Sequence, residues 1–358
     1  MEYLSWNRSV HMFSGDASMN GIRGRDFAVR IVKIVAGILI VAGIIVGLQF
    51  MLGYLQVKST PSGWQIIRPP DEVYTLLIVN DTVWTGGKDG VILIDRTTGK
   101  TLPLPGSPPS VSYVRSIIKD RQGTIWIAHD GGIVTYRNGN WTVVAPNDTV
   151  PFTETLSLIE RRDGIIVAGT TGGVYSFNGT GWKSLMSPGS PSIATADAIF
   201  EDRDGNLWVG CVSPTHGGLY RLNGSTWTSF TESEGLLHES SRAITQDSGG
   251  AIWVASGFAG TGGAVIYRNG TWSSLTVDNG LAGPATRVVY QDHMGRMWVG
   301  SEYDGIAVLD HGSWHVLTTK DGLAGQEVKF MTEDTDGTFW LGTNGGLNRV
   351  DRNATLFS

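Results

Sequence analysis

From residue 64 onward the apolar residues fall in short runs, separated by polar turns that carry glycine. Runs of that length with β-branched and aromatic residues predict strands. One unit shows the order. Ala198-Ile199-Phe200-Glu201 leads into the turn Asp202-Arg203-Asp204-Gly205, and Leu207-Trp208-Val209 follows. After Gly217-Gly218 comes Leu219-Tyr220-Arg221, then Asn223-Gly224, then a last run opening on Trp227. In the first turn Asp bonds nearby backbone N–H groups and Gly tolerates positive φ. Asn-Gly between two strand-like runs is a strong hairpin signal.

The unit repeats. Trp84, Trp126, Val167, Trp208, Trp253, Trp298 and Trp340 are equivalent, with spacings of 42, 41, 41, 45, 45 and 42. A fixed period near 40–45 with four strands per unit predicts a β-propeller. The fold class is all-β: a seven-bladed propeller of four-stranded antiparallel blades, preceded by one N-terminal transmembrane α-helix. A single blade buries only one face, so blades must stack. The structural repeat residues Trp84, Trp126, Trp208, Trp253, Trp298 and Trp340 are read as packing between blades. Trp64-Gln65-Ile66-Ile67 looks like a fourth strand with no first three before it. The seventh unit, near the other end, has three strands. Residues 64–67 are therefore expected to close the last blade of a propeller over 64–358, with Arg352–Ser358 as the alternative.

Residues 1–30 are polar and aperiodic, and are read as a disordered cytoplasmic tail. Ile34 to Tyr54 is apolar and carries no charge. That is about the ~20 residues a helix needs to cross hydrocarbon, so 31–55 is expected to span the membrane and 56–63 to be a linker. A cleaved signal peptide is the rival, but its apolar core is shorter, ~7–15 residues. Arg8, Arg23, Arg25, Arg30 and Lys33 precede the span, while Lys58 and Arg68 lie close after it. Positive charge stays inside. The expectation is a single-pass cell-membrane protein with a cytoplasmic N-terminus and an extracytoplasmic propeller. Gly43-x-x-x-Gly47 fits helix pairing, but Gly is common in membrane helices anyway.

The net charge is −6. No basic stripe exists, which argues against nucleic acid as a partner. Cys211 is the lone cysteine, so no intrachain disulfide forms, and it reads as a small buried hydrophobe. Asn-x-Ser/Thr occurs at Asn80, Asn140, Asn147, Asn178, Asn223, Asn269 and Asn353. These are glycosylation acceptors only in a host that glycosylates its envelope proteins. Asp202-x-Asp204 and Asp334-x-Asp336 begin like a calcium loop, but Gly follows too early for one. No cofactor and no metal site is expected.

The stretch Thr319-Lys320-Asp321-Gly322-Leu323-Ala324, continuing through Val328 to Gly346-Leu347, resembles the repeat of two-component regulator propellers. Gly280-Leu281 and Gly235-Leu236 carry the same phrase. Such propellers are extracytoplasmic sensor domains of prokaryotic hybrid histidine kinases and also occur as stand-alone proteins. The resemblance covers roughly residues 64–350 and implies seven blades and ligand sensing. It departs from the large members in lacking kinase, phosphoacceptor and receiver regions. Blades one to three also lack the Gly-Leu phrase.

Loops on a rigid scaffold concentrate binding residues. If each first strand runs from top to bottom, the second-to-third and inter-blade loops lie on top, facing away from the membrane. From Trp126 to Trp141 is 15 positions, but from Trp208 to Trp227 and from Trp253 to Trp272 is 19. The extra four residues fall in Cys211–Gly218 and Ser256–Gly263. A top-face site of His129, Asp130, His216, Phe258, Glu302, Tyr303 and Asp304 follows, suited to a glycan, peptide or protein ligand. The leading function is a non-catalytic, membrane-anchored sensor acting through a separate signalling protein. The first alternative is an enzyme similar to streptogramin lyases, with metal-assisted top-face histidines (His129, His216, His238). The second is an envelope scaffold for protein complexes.

Overall fold

The computed structural model describes residues 32–46, 60–144, 154–213, 217–354 and 356, in two compact units, Met1–Ser59 and Thr60–Ser358. In the first unit residues 32–46 form an exposed helix. No described helix is long and apolar enough to cross a membrane. The tail 1–30, the rest of the expected span and half of the linker (56–59) lie outside the described residues, as do Asn147 and His216.

The second unit is a ring of seven four-stranded antiparallel sheets. In the fourth blade Ala198–Glu201, Leu207–Cys211, Gly218–Asn223 and Thr226–Phe230 pair in that order. The last sheet combines Val328–Glu333, Phe339–Thr343 and Gly346–Val350 with Trp64–Ile67 from the other end of the unit. Trp64 lies opposite Val350, and Ile67 opposite Leu347. First strands of neighbouring blades contact one another all the way round, so they surround the central channel.

The core is divided among seven apolar clusters, one per interface between neighbouring blades. Each second-strand tryptophan packs against the next blade. Trp84 meets Tyr136 and Trp141 at ring-centroid distances of 5.4 and 6.1 Å, and Trp126 meets Phe177 and Trp182 at 5.5 and 6.4 Å. Such pairs contribute ~0.5–1.5 kcal/mol beyond the area they bury.

The turn aspartate does more than cap its turn. Asp202 Oδ1 accepts from the Asn206 N–H at 2.9 Å, while its Oδ2 accepts from the Trp208 indole N–H at 2.7 Å. The same pair of bonds links Asp120 with Thr124 and Trp126, Asp247 with Ala251 and Trp253, and Asp292 with Arg296 and Trp298. A buried indole N–H needs a partner, and the turn supplies it. In the third blade Val167 replaces the tryptophan and Arg161 replaces the aspartate. With no indole to satisfy, Arg161 reaches across to Glu201 in the fourth blade at 3.0 Å.

The Gly-Leu phrase also has a physical cause. After the fourth strands of blades four to six, short 3-10 turns at Glu232–Glu234, Val277–Asn279 and Thr319–Asp321 end on Gly235, Gly280 and Gly322, with φ of 121°, 110° and 110°. A Cβ there would lie 2.8 Å from Trp272 Cβ, 2.6 Å from Trp314 Cβ and 2.8 Å from Pro61 Cδ. The leucines that follow are buried. Each glycine thus packs against the start of the next blade's fourth strand.

The expectation that Ser256–Gly263 is an enlarged loop is corrected. Ile252–Phe258 and Thr261–Arg268 form the longest hairpin of the ring, paired as far as Phe258 and Thr261. The extra residues extend the β-ladder.

Three substitutions test this account by denaturant unfolding. Gly280→Ala is expected to destabilise by ~1–3 kcal/mol, because it adds both a disfavoured φ and an overlap with Trp314. Gly295→Ala, also at positive φ but with nothing within 4 Å, is expected to cost less, ~0.5–1 kcal/mol. Trp64→Ala, at the closing strand, is expected to cost ~3–5 kcal/mol.

Candidate functional site

One position of the repeat lies five residues before the start of the turn, which is aspartate in blades two and four to seven, Val79 in blade one and Arg161 in blade three. It is occupied by Tyr74, Arg115 and Leu156 in blades one to three, by Asp197, Arg242 and Arg287 in the next three, and by Lys329 in the seventh. Together with Glu327 these seven side chains line a cavity of about 260 Å³. Every blade contributes one side chain to this mouth of the channel.

Local backbone geometry sets the ring apart. In blades three, five, six and seven the ladder register shifts at this residue: between Thr155 and Ser157, Ser241 and Ala243, Thr286 and Val288, and Val328 and Phe330. Such bulges leave one residue unpaired and re-aim its side chain. In blades one, two and four the backbone changes partner here instead. Val73, Val114 and Ala196 donate to the preceding blade, at Thr343, Gly87 and Thr170 carbonyls, while Tyr74, Arg115 and Asp197 donate to their own, at Gly86, Ala128 and Gly210.

The charges are unevenly satisfied. Lys329 Nζ lies 3.1 Å from Glu72 and 2.7 Å from Glu327, and 4.8 Å from the Tyr74 ring centroid. Arg287 pairs with Glu302 and, at 3.3 Å, with Glu327. Arg115 has looser partners, Glu154 at 3.5 Å and Asp130 at 3.9 Å. Arg242 differs. Among the described residues no carboxylate stands at ion-pair distance from it, its Nε is buried without a hydrogen-bond partner, and its guanidinium carbon lies 5.9 Å from the Phe258 ring centroid. Asp197 accepts from the Val212 N–H at 3.2 Å and has no cation at ion-pair distance. Burial raises its carboxyl above the ordinary range, against the opposing pull of Arg242 and Arg115. Burial lowers the Arg242 guanidinium, with Arg287 adding to the effect. Burial and the neighbouring Glu72 push Tyr74 up to about 12.

The structure distributes the sequence-predicted site residues as follows. Asp130, Glu302 and Phe258 stand directly behind ring residues Arg115, Arg287 and Arg242. Tyr303 donates to Glu302 at 2.9 Å. Asp304 accepts from Ser301 Oγ at 3.3 Å within its own turn. His129 is buried and its Nδ1 accepts from the Gly131 N–H at 3.0 Å, a turn contact, and burial lowers its pKa. His238 does the same with the Ser240 N–H at 2.9 Å. Cys211 is fully buried in the cluster between blades three and four, and burial raises its thiol pKa. A larger cavity of about 620 Å³ lies at the opposite, turn-bearing end, between blades six and seven. Its polar groups are engaged with one another, as in the bond from the His293 N–H to Glu333, or hold the turns, as Asp292 does.

Comparison with known proteins adds a family repeat. The profile described as "Two component regulator propeller" matches residues 108–131, 190–213 and 322–345. The propeller thus carries the two-component regulator propeller repeat. Each match of this propeller's repeats joins the channel-mouth end of one blade to its Trp strand. No curated protein sequence matches. Among solved structures, the propeller resembles the extracellular domain assigned to a hybrid two component system from B. thetaiotaomicron, at 17% identity and a TM-score of 0.70. That match covers 82% of this chain and 42% of the other, so the chain spans less than half of that relative's length. It also resembles virginiamycin B lyase from Staphylococcus aureus, at 15% identity and a TM-score of 0.60, covering 80% and 98%. A third similar structure is YCF48 from Cyanidioschyzon merolae, at 14% identity and a TM-score of 0.57, covering 81% and 99%. At these identities the structural likeness is one of fold.

The sign of the Asp197 shift gives a prediction for this propeller. A carboxyl whose folded pKa is raised destabilises the folded state once pH exceeds the unfolded value. Asp197→Asn is therefore expected to raise the melting temperature at pH 7. The gain is expected to shrink as pH falls and to vanish below the ordinary aspartate range. Thermal unfolding of both proteins across pH checks it.

Proposed function

We propose that this chain is a non-catalytic ligand-binding sensor, held at the cell membrane by its N-terminal apolar segment, with an extracytoplasmic propeller. It captures a small polar ligand at the channel mouth and passes the signal to a separate partner protein. One observation carries the reading: every blade supplies one side chain, in differing chemistries, to a single cavity whose charges are incompletely paired. A scaffold needs no such convergence. The family repeat and the fold likeness to a hybrid two component system's extracellular domain support sensing. The run Ile34 to Tyr54 and the basic residues before it support the anchor.

The streptogramin-lyase alternative rests on fold likeness. The ring nitrogens that His129 and His238 use inside their own loops weigh against a metal-assisted histidine site.

The reading is tested with the full chain in detergent, screened by melting shift against glycans, peptides and divalent metals. Binding to the native state raises the melting temperature by mass action. Leu156→Trp, which fills the cavity, is expected to weaken any ligand so found by about tenfold or more. A ligand whose shift survives both Leu156→Trp and Tyr74→Ala would place binding elsewhere.

A further inference from the structure

The geometry points to a ligand that carries a carboxylate next to a hydrogen-bond donor, an α-hydroxy or α-amino acid including sugar acids, with its carboxylate on Arg242 and its donor on Asp197. The inference rests on the channel mouth being the ligand site.

Of the four cations lining the cavity, Lys329 and Arg287 are each shared between two carboxylates, and Arg115 has two at longer range. Among the described residues Arg242 alone has none, and its Nε, like that of Arg287, is buried without a hydrogen-bond partner. A desolvated guanidinium without a counter-ion is costly. Its planar fork matches a carboxylate bidentately. Asp197, the preceding position of the ring, is the unpaired charge of opposite sign. The two feel each other's charge yet do not stand at ion-pair distance. A ligand presenting acceptor and donor on adjacent atoms satisfies both at once.

The neighbours narrow the class. Asp197 and Glu327 both line the cavity, so a dianion such as phosphate meets repulsion that a single carboxylate with a flanking donor avoids. Tyr74, across the mouth, and Leu156, on the blade next to that of Asp197, offer apolar surface to a sugar ring or alkyl side chain. Pockets for drug-sized ligands run ~300–1,000 Å³. At about 260 Å³ this one suits a monosaccharide or an amino acid.

Calorimetric titration of the full chain with sodium D-gluconate, an α-hydroxy sugar acid, and with L-threonine tests the inference, with D-glucose and inorganic phosphate as controls. One acid is expected to bind, and which one decides between hydroxy and amino acid. Arg242→Gln should weaken it by about ten- to a hundredfold, Arg242→Lys by less, and Asp197→Asn should also weaken it. Asp197→Asn carries the test alone if the Arg242 variants do not fold. Failure of both acids to bind at millimolar concentration overturns the inference, as does binding indifferent to Arg242→Gln and Asp197→Asn. D-glucose binding as tightly as gluconate, and lost in Leu156→Trp, would overturn the acid while leaving the channel mouth as the ligand site. If the wider screen yields ligands but none is sensitive to Leu156→Trp, the site itself falls with it.

Discussion

In four of the seven blades a buried aspartate holds its own turn with one oxygen and accepts the indole N–H of the tryptophan six residues on with the other. The rest of the ring depends on that bond. It fixes the orientation of the second strand's largest side chain, and that side chain is the contact to the next blade. Hairpin geometry within a sheet is thereby coupled to packing between sheets. The third blade obeys the same logic and the seventh departs from it. The third blade lost the indole and the acceptor together, and Arg161 now ties its turn to the fourth blade. In the seventh, Asp334 pairs with Arg96 of the first blade, and Trp340 keeps no partner for its buried N–H.

This arrangement divides the propeller by function. At the turn-bearing end, polar groups are committed to structure, so even the cavity of about 620 Å³ there is lined by residues with work to do in the fold. At the other end the backbone passes from blade to blade in three units, and in the other four a bulge frees one residue from the ladder. The side chains at this position carry no obligation to the core, so their identities range over aromatic, aliphatic, acidic and basic types without cost to the ring.

The fold was legible because it rests on repetition: Trp spacing, Asp-x-x-Gly, Asn-Gly and the displaced strand at Trp64 all report on packing that every blade shares. The candidate site was only half legible. Asp130, Glu302 and Phe258 were found because loops draw attention, and they prove to stand behind the ring. The ring itself was missed. Its signal is the inverse of a motif: one register position, five before the start of the turn, whose residue type varies among aromatic, aliphatic, acidic and basic while the turn and the Trp strand repeat. Arg242 and Arg287 look like ordinary strand charges until the register shift is known, and a bulge leaves no local composition mark. The longer spacing in blade five was misread as a loop because length alone does not tell a loop from a longer ladder.

Closure by Trp64–Ile67 has a consequence for how the molecule is made. The strand that pairs last is the one synthesised first: Trp64 waits opposite Val350 until nearly the whole domain has left the ribosome. Until then the seventh sheet has no outer strand, and Gly322 has no Trp64 to pack against. Contacts of such sequence separation form slowly and leave edges open meanwhile. Completion of the ring therefore reports on the integrity of both ends at once, and a chain cut short before Val350 leaves Trp64–Ile67 as an unpaired apolar strand.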